Sequence, residues 1–217
     1  VSVNQYVRAP GYSDGAPLIA LAARSGSLEV LRYLISARAD LNARTAVNET
    51  PLMLAVFFAD DRQSGTGRSD RHERAIRLLV EAGASIENIP YQYTPLAYAA
   101  YQGNERLVRY LIERGARVNA DAQRGGAYTN TPLMMAAMQG HERIVRMLLR
   151  AGADADVRVY GGLTAAEFAA KYNHRALAQL LQCAQRRNGT APAGCRQILG
   201  DDLSPESPFR RVLSERS

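Results

Sequence analysis

The sequence predicts an all-α fold, a solenoid of about five stacked repeats. Three observations lead there. Thr-Pro-Leu recurs as Thr50-Pro51-Leu52, Thr94-Pro95-Leu96 and Thr131-Pro132-Leu133, with a degenerate copy at Thr164-Ala165-Ala166. Each copy is followed by small apolar pairs, Ala55-Val56, Ala99-Ala100, Ala136-Ala137 and Ala169-Ala170. An apolar stripe comes next, and three units then close on Gly83-Ala84, Gly115-Ala116 and Gly152-Ala153. Self-similarity at such a period marks repeat architectures.

Local chemistry justifies each element. Proline is tolerated in the first helical turn, where its missing N–H would have no partner. The threonine before it can cap the helix by accepting from the first free N–H groups. Small alanines let two helices approach closely. Leu107-Val108 with Leu111-Ile112, and Ile144-Val145 with Leu148-Leu149, make an apolar face at helical spacing. Glycine after that helix suits a left-handed C-cap. One unit cannot bury its apolar face alone, so neighbours must stack.

These residues resemble the ankyrin repeat, a 33-residue unit of hairpin loop and two antiparallel helices. A further helix pair, from Leu18 to Ile35 and closing on Ala39-Asp40-Leu41-Asn42, makes the first of five units. The expected organisation is a lead-in over 1–10, an ankyrin domain over 11–183 and an extension over 184–217. The repeats are expected at about 11–43, 44–88, 89–120, 121–157 and 158–183.

The spacing between the threonines is irregular: 50 to 94, 94 to 131 and 131 to 164. Only the last matches the 33-residue unit. Twelve extra residues are expected between the helices of repeat two, among Ala59 to Arg71, as a polar, glycine-containing loop. Gly65-Thr66-Gly67 within it lacks the Gly-Lys-Ser/Thr of a phosphate loop. A longer loop before repeat four covers Asp121 to Asn130. The histidine that usually follows Thr-Pro-Leu in the family is replaced by Met53, Ala97 and Met134, which puts its inter-repeat hydrogen bond in doubt.

Composition bounds the function. With 47% hydrophobic and 22% charged residues the chain can bury a core. Its longest apolar stretch, around Leu18 to Ala23, is far too short to span a membrane. The net charge is +6, and of 27 basic residues all but Lys171 are arginine. That bias points to a bacterial, GC-rich genome. A chain beginning at Val1 rather than Met suits a signal peptide or trimming before it.

No catalytic, cofactor or metal site is expected, and the chain is read as a non-enzyme. His72, His141 and His174 share one repeat position, at the entrance to the second helix, and are read as structural. Cys183 and Cys195 cannot make a zinc site alone. They can form a disulfide pinning the C-terminal tail, which suits an oxidising compartment such as the periplasm. Two free thiols in a cytoplasmic protein is the other reading.

Family resemblance implies a protein-binding scaffold, adaptor or inhibitor, with a concave face made of loop tips and the ends of the first helices. The equivalent positions are Phe57 and Phe58 in repeat two, and Tyr91, Tyr93, Tyr101 and Gln102 in repeat three. Repeat four supplies Tyr128, Asn130, Met138 and Gln139, and repeat five Tyr160, Lys171 and Tyr172. Six of the 11 tyrosines fall on this face, and tyrosine is favoured at interfaces. The expected partner is another protein, met by a monomer, and an immunity or self-protection role is the narrower expectation. The alternative is a nucleic acid or anionic surface on a convex stripe of Arg74, Arg77, Arg106, Arg109, Arg143 and Arg146. Glu73, Glu105 and Glu142 stand four residues before the second arginine of each pair and partly neutralise that stripe.

Overall fold

A computed structural model describes residues 3–59, 68–87, 93–119, 130–159, 162–185 and 195, and only the backbone of residues 68 and 69. The described residues form a two-stranded antiparallel hairpin and ten helices. The chain divides into two compact units, Val1–Ile89 and Pro90–Ser217.

In the first unit, β1 (Tyr6–Ala9) pairs with β2 (Tyr12–Pro17), with Tyr6 opposite Pro17 and Ala9 opposite Tyr12. β1 thus lies within the expected lead-in yet pairs with the start of repeat one. Two helix pairs follow: α1 (Leu18–Ser25) with α2 (Leu28–Ser36), and α3 (Pro51–Phe57) with α4 (Arg68–Glu81). α1 packs on α3 and α2 on α4. Ile19, Leu31, Leu34, Leu52, Leu54, Ile76 and Leu79 form the fully buried centre.

The second unit holds three pairs: α5 (Pro95–Gln102) with α6 (Glu105–Glu113), α7 (Pro132–Gln139) with α8 (Glu142–Arg150), and α9 (Ala165–Lys171) with α10 (Arg175–Ala184). α5, α7 and α9 pack in succession, and α6 packs on α8. Alanines make the close approach possible: Ala99, Ala100, Ala136, Ala137 and Ala169 are fully buried.

The caps form as their chemistry requires. Thr50, Thr94 and Thr131 each accept from the N–H three residues on, at 3.3, 3.1 and 3.3 Å. Repeat five, which lacks the proline, has a full capping box instead. Thr164 Oγ1 accepts from Glu167 N–H at 3.3 Å, and Glu167 Oε2 accepts from Thr164 N–H at 2.7 Å. That backbone N–H holds the Glu167 carboxyl below its ordinary range; burial opposes the shift, and the Thr164 side chain and Arg158 reinforce it. A carboxylate with a lowered folded-state pKa stabilises above its unfolded pKa, and the benefit is lost as pH falls through the folded value. Acidification is therefore expected to loosen repeat five. Glu167→Gln keeps a capping side chain that does not titrate, so it should flatten this part of the urea-midpoint-versus-pH curve; an unaltered curve would contradict the assignment.

Two expectations need correction. The excursion of repeat two is shorter than Ala59 to Arg71. Ala59 is buried just after α3, and its N–H donates to Val56 O at 3.1 Å. Arg68 to Arg71 are helical, so α4 runs to 14 residues where α6 and α8 have nine. Arg, Ser and Asp here read as loop residues but suit an exposed helix start, where Asp70 also favours the dipole. The remainder of the excursion lies outside the described residues. As a result His72 sits in the second turn of α4, whereas His141 and His174 are N-caps of α8 and α10.

All three histidines nonetheless do one job. Each Nε2 lies within hydrogen-bond reach of a carbonyl two residues before the C-cap of the preceding repeat's first helix. His72 meets Arg24 O at 2.9 Å, His141 meets Tyr101 O at 3.1 Å, and His174 meets Met138 O at 3.2 Å. A carbonyl only accepts, so each Nε2 carries the proton and donates. The inter-repeat bond put in doubt by the missing Thr-Pro-Leu-His histidines is thus supplied from the second helix. The C-cap glycines make room for the rings: a Cβ on Gly103 would lie 2.7 Å from His141 Cε1, and one on Gly140 2.6 Å from His174 Cε1.

Asparagines form a second link on the loop side. Asn42 Oδ1 accepts from Ser85 N–H at 2.8 Å and Asn119 Oδ1 from Asp154 N–H at 2.9 Å, each reaching the next repeat. Asn4 Oδ1 accepts from Asp40 N–H at 2.9 Å in the same way.

Candidate functional site

The loop side of the first unit gathers side chains from the hairpin, the loop before α3 and the C-terminal ends of the first helices, and that of the second unit gathers them from the described loop residues and the C-terminal ends of its first helices. In the first unit Arg24, at the end of α1, is the hub. Its guanidinium lies 5.2 Å from the Tyr12 ring centroid and 5.1 Å from that of Phe58, and it donates to Pro10 O at 3.0 Å. Stacking on two aromatic faces fixes a long side chain and partly shields its charge. Tyr12 O–H donates to Glu49 Oε2 at 3.3 Å, and Thr45 Oγ1 donates to the same oxygen at 3.3 Å. Burial, then the Glu49 carboxylate, raise the Tyr12 hydroxyl above its ordinary pKa, against the pull of Arg24. The hairpin is tied down by Tyr6 O–H donating to Arg44 O at 2.8 Å.

Phe58 is thus half-buried against Arg24, with its ring 5.2 Å from that of Phe57 in an edge-on arrangement. Phe57 itself is 51% exposed, as are Tyr6 (54%) and Val47 (62%) at the hairpin and the following loop. Phe57 was legible from the repeat position. Tyr6, Tyr12, Arg24 and Val47 were not, because nothing in the spacing shows that the hairpin reaches the loop before α3.

In the second unit Tyr93, Tyr98 and Tyr101 are half-buried around α5. The Tyr93 and Tyr98 rings meet edge-on at 5.7 Å, and Tyr98 is a further residue that sequence reasoning passed over. It lies three residues before Tyr101 on the helix, which was the available signal. Asn130 Nδ2 lies 3.5 Å from Met138 Sδ, holding the loop against the end of α7, where Gln139 is half-buried. Lys171 and Tyr172 at the end of α9 are exposed, Tyr172 by 45%. Gln102 departs from the expected face. It is buried in the last turn of α5, the helix that packs along α7, while Gln139 at the matching position of α7 is half-buried. Tyr91, Tyr128 and Tyr160 lie outside the described residues.

The structure therefore brings together Tyr93, Tyr101, Asn130, Met138, Gln139, Lys171 and Tyr172 on successive first helices and their loops. It places Phe57 and Phe58 in the other unit.

Models of ankyrin repeats match residues 19–63, 96–149 and 133–182 in one form and 68–122 in another. The chain belongs to the ankyrin-repeat family. Its curated relatives match only in part. A transient receptor potential cation channel subfamily A member 1 homolog of Caenorhabditis elegans is 33% identical over 111 residues, 51% of this chain and 8% of that protein. Ankyrin repeat and SOCS box protein 16 of Homo sapiens is 34% identical over 122 residues, 56% of this chain and 25% of that protein. Its Mus musculus counterpart is 37% identical over 105 residues, 48% and 22% respectively. The matched region is thus a quarter or less of each relative. Ankyrin repeats generally mediate protein–protein interaction.

The outer helices differ in character from the loop side. Arg74, Arg77, Arg106, Arg109 and Arg143 are exposed, and Arg146 is half-buried. Glu142 Oε1 accepts from Arg146 Nε at 2.9 Å, and Arg143 reaches back to Glu105 Oε2 at 3.5 Å. Exposed pairs of this kind contribute about 0–1 kcal/mol each; their effect here is to lower the net charge of the stripe. Among the described residues no group of three or more His, Cys, Asp or Glu side chains could hold a metal ion. No described helix is long and apolar enough to cross a membrane. Cys183 and Cys195 are joined by a disulfide, and both are buried.

Proposed function

We propose that this ankyrin protein binds another protein through the loop-side faces of its repeats and carries out no chemistry of its own. One observation carries the reading. Phe57 and Tyr172, at first-helix ends, and Tyr6 and Val47, on the hairpin and loop, are large apolar side chains held in the open. The outer helices α4, α6 and α8 present arginine and glutamate instead. Such an uneven distribution suits an interface, because aromatic anchors supply most of the energy in protein contacts. A binder without chemistry acts by occupying or blocking its partner, and an inhibitor or immunity role is the narrower form of this proposal.

The test is affinity for the partner protein recovered from the native source. Phe57→Ala with Tyr172→Ala is expected to weaken binding by about 2 kcal/mol or more, some thirtyfold. Both residues are exposed, so the urea midpoint should hardly move. Unchanged affinity in that variant would remove the assignment. Binding through the arginine stripe predicts a different pattern: affinity that falls steeply with salt and survives the aromatic substitutions.

A further inference from the structure

The first repeat ends in an open stacking face. Val30 and Tyr33 on α2 are 39% and 70% exposed. Each later repeat has a residue at the place of Val30: Ala75, Leu107, Ile144 and Leu177, all buried. At the place of Tyr33 stand Leu78, Tyr110, Met147 and Leu180. Tyr110 is 6% exposed and Leu180 2%, and Leu78 and Met147 are half-buried. In repeats two and four the second helix packs on the second helix before it, α4 on α2 and α8 on α6. The α2 face thus continues an established inter-repeat interface. A terminal repeat acting as a cap would present polar residues there.

The hairpin register says what covers it. Asn4 repeats the link made by Asn42 and Asn119, accepting from the backbone N–H of Asp40 as they do from Ser85 and Asp154. Val3-Asn4 forms a turn as Leu41-Asn42 and Val118-Asn119 do. Asn42 and Asn119 each lie six residues after the end of their own repeat's second helix, Ser36 and Glu113. Asn4 therefore matches the closing asparagine of a repeat, and the stretch from Val3 to Pro17 matches a loop that joins two repeats.

We propose that the Val30–Tyr33 face seats the second helix of one further ankyrin helix pair in the same polypeptide, joined at Val3. The match is testable with this chain's own parts. A copy of residues 131–154 replaces Val1 and Ser2, so that it runs into Val3 as Asp154 runs into Ala155. The urea midpoint should rise. Nitration of Tyr33 by tetranitromethane, fast in the 217-residue chain, should fall to the slow rate of Tyr110. Tyr33→Glu should abolish the rise in the extended chain and leave the midpoint of the original chain where it was.

A grafted chain with no gain in midpoint and with Tyr33 still fast to react would overturn the proposal, whether or not the graft folds. Light scattering supplies an independent check on the original chain. A monomer supports the proposal. A dimer that Tyr33→Glu dissociates would overturn it, because a second copy would then be what covers the face.

Discussion

Gly140→Ala is expected to destabilise the second unit by about 2–3 kcal/mol, from left-handed strain of roughly 1–2 and a lost hydrogen bond of roughly 1. Gly140 has φ +74°. A Cβ there would also lie 2.6 Å from His174 Cε1 and Nδ1, so the ring must leave and give up Met138 O. Gly115→Ala is the control. Its φ is +90°, but a Cβ there meets nothing within 4 Å, so strain alone should be felt. Urea unfolding at constant m-value reads the difference. In the background of His174→Ala the cost of Gly140→Ala should drop to that of Gly115→Ala. Equal costs with and without the histidine would show that ring and glycine are uncoupled.

Loss of the disulfide has an expected effect of similar size. Cys183 and Cys195 are 12 residues apart, and closing a loop of that length stabilises by about 3 kcal/mol on a chain-entropy estimate. Reductant should lower the unfolding midpoint of the native chain accordingly. The same reductant should do nothing to a Cys183→Ala, Cys195→Ala variant, whose midpoint should match that of the reduced protein. Intact mass of protein purified without reductant should be two hydrogens below the dithiol mass. Two free thiols in that sample would remove the bridge and with it the argument for an oxidising compartment.

How much of this was legible follows from how local each signal is. The Thr94 and Thr131 caps depend on a few adjacent residues, and the sequence pattern placed them correctly; Gly115 and Gly152 after the second helices do take positive φ, but one residue beyond the C-caps Arg114 and Ala151. The role of the histidines was half legible. Their shared position implied a structural role, but the accepting carbonyls lie 36 to 48 residues away. The loop side was less legible because exposure depends on neighbours. Gln102 and Gln139 read alike in sequence, yet only Gln102 is buried. Tyr33 and Tyr110 sit in the same Arg-Tyr-Leu-Ile context and differ from 70% to 6% exposed. The stack of Tyr12, Arg24 and Phe58 joins three distant parts of the chain, and no spacing rule connects them. The start of α4 was misread because its polar residues suit an exposed helix and a loop equally.

The central claim is that the loop-side aromatics, and not the outer arginines, meet the partner. Its most direct test is hydrogen exchange of this chain with and without the partner protein. Protection is expected in the loop residues 44–49 and at the ends of α3, α5, α7 and α9, with the outer faces of α4, α6 and α8 unchanged. Protection confined to those outer helices, and lost in high salt, would contradict the account.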